Sequence, residues 1–151
     1  MALLLKLVYD TARVRSSYMR IHQEVFGFPA RSLLKRLVQS KRDRLHRYQA
    51  ELDDLCAEVR AVREGINALP RPYVEIRRGE EIRRSLTNYT AALEDSAISL
   101  RGLCGDLVDA DDSGGDTERL AELAAKRRSY DDALQHQHRL GARLNELLSK
   151  I

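Results

Sequence analysis

The chain has 151 residues, of which 32% are charged and 5% aromatic, with no Trp and a formal net charge of +3. Long amphipathic helices with thin apolar seams have this composition; β-sandwiches and thick α/β cores do not. No apolar run approaches the ~20 residues that a membrane span needs. The apolar start at 1–5 is broken by Lys6 too soon for a secretory leader. A single domain covering 1–151 is expected, long enough to bury a real core and placed inside the cell, in the cytoplasm.

The first helix is expected over 2–26. Leu4, Leu7, Thr11, Val14, Tyr18, Ile21, Val25 and Phe28 repeat at alternating steps of three and four, which puts them on one face. Gly27 supplies a left-handed C-cap, and Pro29 suits the first turn of the next helix.

The second helix, over 30–69, carries the strongest signal in the chain. Its repeat runs Leu34, Val38, Lys41, Leu45, Tyr48, Leu52, Leu55, Val59, Val62, Ile66, Leu69 without a break. Leu45, Leu52, Leu55, Val59, Val62, Ile66 and Leu69 are its expected buried seam. Lys41 is the exception within it. An ammonium there costs stability, fixes register, or snorkels to water past Tyr48. Pro70 and Pro72 end the helix, since neither continues the hydrogen-bond ladder, and 73–78 reads as a linker.

A third helix is expected over 79–109, opened by Glu80 and Glu81 at its positive end. Its seam is Ile82, Leu86, Tyr89, Leu93, Ser96/Ala97, Leu100, Leu103/Cys104 and Leu107. Residues 109–115 read as a solvated turn. A fourth helix, over 117–150 with Asp116 or Thr117 as its cap, shows Leu120, Leu123, Tyr130, Leu134, Leu144, Leu148 and Ile151. Arg127, Gln137 and Gly141 interrupt that stripe, and Leu140 and Leu147 form a second, offset one. Two stripes imply burial on two sides.

Short loops between long helices give an antiparallel all-α bundle with coiled-coil packing, three long helices plus a shorter N-terminal one. In layout this resembles a spectrin-type three-helix bundle with a helix added. The Trp of that repeat's first helix is absent, and no family is assigned.

Charge is unevenly distributed. Residues 1–47 hold eleven Lys/Arg against three Asp/Glu, while the rest of the chain is net acidic. Arg31, Lys35, Arg36, Arg42, Arg44 and Arg47 form the densest basic stretch, the expected contact face for a partner. A bundle in which the basic half meets the acidic half, or a homodimer built on the second helix, satisfies the same pattern.

Chemistry is sparse. The two cysteines, Cys56 and Cys104, lack zinc spacing and read as buried thiols in a reducing compartment. Asp43 and His46 make one i, i+3 pair, too few for a metal, and His136 and His138 point to different sides. Paired acids such as Asp53/Asp54, Asp111/Asp112 and Asp131/Asp132 read as solvation. Arg15-x6-His22 fits the Arg-x(4–6)-His pattern of helical HEPN-type ribonucleases, which that likeness alone makes a third reading. No cofactor is expected. The leading expectation is a non-enzymatic protein–protein interaction module, an adaptor or structural subunit of a larger assembly. The alternative is a nucleic-acid-associated protein that binds phosphates through 31–47, with binding that falls steeply in salt; an anionic membrane surface is the other phosphate-bearing partner that this stretch would meet.

Overall fold

The computed structural model describes residues 2–26, 41–70, 78–112 and 117–150. Four helices follow one another: α1 (Ala2–Phe26), α2 (Lys41–Asn67), α3 (Gly79–Asp112) and α4 (Thr117–Leu148). They form an all-α antiparallel bundle. Residues 27–40, and with them Arg31, Lys35, Arg36, Gly27 and Pro29, lie outside the described residues, as does most of the expected 73–78 linker.

Direction follows from the pairs that touch. Arg20 on α1 meets Glu51 on α2 at 3.5 Å, and an added Cβ on Gly65 would meet Leu7, so those two helices run antiparallel. Arg60 on α2 lies 2.9 Å from Glu94 on α3 while Asp53 meets Arg101, and Lys126 on α4 lies 2.9 Å from Asp106 on α3 while Gln137 meets Tyr89. Each neighbour reverses the last. Each helix thus packs along the next in chain order, and α1 runs parallel to α3.

The seams are those that the periodicity demands. On α1, Leu4, Leu7, Thr11, Val14, Tyr18 and Ile21 are buried. On α2, Leu45, Leu52, Leu55, Val59, Val62 and Ile66 are buried, and Leu69 is partly buried just beyond the helix. Each fully buried Leu, Ile or Val among them contributes roughly 1.5–3 kcal/mol by leaving water. α3 is the best-covered helix, with Ile82, Leu86, Leu93, Ala97, Leu100 and Cys104 wholly enclosed. The buried Thr90 and Ser96 hydroxyls are satisfied within the helix: Thr90 donates to the Leu86 carbonyl at 2.9 Å and Ser96 to that of Ala92 at 3.0 Å.

Three expectations change. α3 continues through 109–112, where a turn was expected, and ends at Asp112. Leu120 is 51% exposed, although Leu123, three residues on, packs against the core. Lys41 is exposed as the first residue of α2, so no ammonium sits in the seam. Arg78 enters α3 with φ 63°, and its carbonyl accepts from the Ile82 amide at 2.9 Å.

Candidate functional site, the seam between α1 and α4

The helix pairs are not packed alike. α3 lies closely along α2 and α4, α1 lies along α2, and the backbones of α1 and α4 hardly approach each other. Long side chains bridge this seam at one end. At the other end it stays open as a cleft.

The bridged end is aromatic. The Tyr18 and Tyr130 hydroxyls hydrogen-bond to each other, and the Tyr130 hydroxyl lies 2.6 Å from His22 Nδ1. Phe26 packs edge-on to His22 with centroids 5.1 Å apart, and the Arg127 guanidinium sits 3.7 Å from the Phe26 ring centre. A cation over a ring face is attracted by its quadrupole. Burial, then the Arg127 charge, lowers the pKa of His22 below its ordinary 6.5. Burial pushes Tyr18 up to about 12 and raises Tyr130 further. With His22 neutral, the tautomer sets the direction: a proton on Nε2 makes Tyr130 donate to Nδ1 and Tyr18 donate to Tyr130, and a proton on Nδ1 makes the ring donate to Tyr130 and Tyr130 donate to Tyr18.

The open end is a cleft of about 350 Å³ between residues 8–15 of α1 and 137–148 of α4, with Tyr89 of α3 as its floor. Val8, Ala12, Ala142 and Leu148 make apolar walls. Arg15, Gln137, His138 and Asn145 bring polarity. Gln137 is fully buried and donates through Nε2 to the Tyr89 hydroxyl at 3.5 Å. Gly141 lets the Tyr89 ring approach; a Cβ there would stand 3.1 Å from it. The three interruptions of the α4 stripe are thus its contact points: Arg127 on Phe26, Gln137 on Tyr89, Gly141 against the same ring.

Arg15 and His22 lie two turns apart on one face, ~10 Å along the axis, and the seam separates them. Arg15 faces the open cleft, while His22 has its Nδ1 engaged by Tyr130.

Of the described basic candidates, Arg44 is buried at 8% exposure, Arg47 lies over its neighbour Tyr48 at 5.3 Å, and Arg42 is exposed. The expected contact face is thus partly folded into the bundle. Across the two halves of the chain Arg20 meets Glu51 at 3.5 Å, whereas the most enclosed acid pairs within the net acidic half: Glu94, 9% exposed, holds Arg60 at 2.9 Å and Arg63 at 2.7 Å. Burial pushes the Glu94 pKa up, but the two guanidinium hydrogen bonds outweigh it and hold the carboxyl below 4.5. Cys56 and Cys104 are free and buried, and burial pushes the Cys104 thiol up to about 12. Among the described residues no group of three His, Cys, Asp or Glu could hold a metal, and no helix is long and apolar enough to cross a membrane. His46 instead shares a 3.2 Å hydrogen bond with Gln49.

Comparison with protein-family models, curated proteins and solved structures finds no match for this chain.

Periodicity puts Tyr18 and Tyr130 on buried stripes but gives neither their contact nor the cleft. The cleft depends on Gln137 and Gly141 facing Tyr89 across more than forty residues of chain. The one signal in the sequence is that these residues stand where an aliphatic residue should.

Proposed function

We propose that the chain is a non-enzymatic protein–protein interaction module, an adaptor or structural subunit that docks through the outer face of α1. The observation that carries this reading is the exposure of two large apolar side chains one turn apart, Leu5 at 55% and Tyr9 at 71%. Helical spacing places Lys6 and Arg13 along one flank of that pair. Apolar anchors edged by positive charge suit an amphipathic helix of a partner protein that carries acidic residues beside its apolar face. The free thiols of Cys56 and Cys104 suit a reducing compartment such as the cytoplasm.

The test is affinity capture from native extract with and without nuclease, comparing the wild type with the Leu5→Ser/Tyr9→Ser double variant. Both side chains are exposed, so the variant keeps its fold. A discrete protein set that survives nuclease and is lost from the double variant supports docking on α1. A set indifferent to the substitutions removes this face as the site. A set that collapses with nuclease, and is weakened by Arg42→Gln, moves the reading to phosphate binding through the basic stretch.

A further inference from the structure

We propose that the cleft between α1 and α4 is a binding site for a small apolar carboxylate. The charge of the cleft is one-sided. Arg15 is the one formally charged residue that lines it, and no Asp or Glu does. A guanidinium beside apolar walls is the group that takes a carboxylate through two parallel hydrogen bonds.

A second observation is independent of charge. Gln137 is 0% exposed, and its Oε1 has no hydrogen-bond partner among the described residues. Its Nε2 already faces the Tyr89 hydroxyl. Turning the amide exchanges its two ends, and one end stays unpaired either way. Buried polar groups left so are rare in folded proteins, and one at the wall of a cleft marks where a ligand atom completes the site. Thr11, also at the cleft, is already satisfied: its hydroxyl donates to the Leu7 carbonyl at 2.7 Å.

Size and wall chemistry agree. A cleft of about 350 Å³ falls at the small end of ligand sites, which run from roughly 300 to 1,000 Å³. The carboxylate lies on Arg15. The hydrocarbon covers Val8, Ala12, Ala142 and Leu148. A hydroxyl close to the carboxylate serves Gln137 in either orientation, because it both donates and accepts. The inference is separate from docking on Leu5 and Tyr9, and the Leu5→Ser/Tyr9→Ser variant retains the site.

The experiment is an NMR titration of the ¹⁵N-labelled chain with octanoate, 3-hydroxyoctanoate, octylamine and inorganic phosphate, following the amides of 8–15 and 137–148. Octanoate is expected to shift them saturably, and 3-hydroxyoctanoate to bind about threefold tighter through one further hydrogen bond. Octylamine and phosphate should leave them in place. Arg15→Gln, at an exposed position, should weaken octanoate by about tenfold or more, the effect of losing a charge-assisted bond. Ala142→Leu fills the cleft from an exposed position and should abolish binding. The proposal fails if octylamine binds as well as octanoate, if phosphate alone gives the same shifts, if Arg15→Gln changes nothing, or if no saturable shift arises by about 10 mM, a millimolar affinity being the weakest specific case.

Discussion

Tyr130 is the residue on which the α1–α4 contact turns. Its hydroxyl is the only atom on α4 that both Tyr18 and His22 reach among the described hydrogen bonds. Tyr130→Phe keeps the ring and removes that hydroxyl, taking one hydrogen bond from the buried Tyr18 and one from the half-buried His22. The expected cost is about 1–3 kcal/mol in urea unfolding; a change near zero would mean that water replaces the hydroxyl. His22 gives the contact a pH dependence. Its pKa is lowered on folding, so the unfolded chain binds the extra proton more readily. Its contribution is full well above 6.5 and is lost as pH falls below that value towards the folded pKa. The groups that set the folded pKa face it from α4: Arg127 and His138 lower it, Asp131 raises it. His22→Gln should flatten the stability profile in this window only. The separate fall below 4.5, where Glu94 loses the charge that Arg60 and Arg63 hold, should persist in that variant, as denaturation at a series of pH values would show.

Within the elements, glycine reports where backbones and rings come close. Gly102 on α3 has open space around it, whereas Gly141 on α4 is crowded by the Tyr89 ring. Gly102→Ala should therefore stabilise by roughly 1 kcal/mol, the helix-propensity difference alone. Gly141→Ala should gain less, since Tyr89 is buried and held by Gln137; equal melting-temperature gains would contradict the close approach. Lys41→Leu should change stability by no more than about 0.5 kcal/mol, because Lys41 is exposed and not in the seam. These cases mark how far periodicity reads. From Leu4 to Ile21 and from Leu45 to Ile66, the three–four spacing foretold burial, because one helix face determines it. It failed at Lys41 and Leu120, whose burial depends on what a neighbouring helix sets against them. It was silent about Arg44, which has an ionic head yet is buried, and about Gln137, whose partner Tyr89 belongs to another helix. The cleft was illegible for the same reason. It is made by what α1 and α4 leave unfilled, and no local pattern encodes that.

At the scale of the molecule, α2, α3 and α4 pack closely in sequence, and α1 closes the bundle with one tight seam and one loose one. That asymmetry joins the two functional readings, since both the exposed Leu5–Tyr9 face and the Arg15 cleft belong to α1. Among the described residues, the hydrogen bonds that hold α1 to α4 lie at the aromatic end. Hydrogen exchange of the wild type and Tyr130→Phe, resolved by helix, tests it most directly. The amides of α3, packed on both sides, should exchange only through global unfolding. Those of α1 should open more easily, and Tyr130→Phe should lower protection in α1 more than in α3. Equal protection of α1 and α3 in the wild type, or a uniform loss across all four helices in the variant, would contradict it.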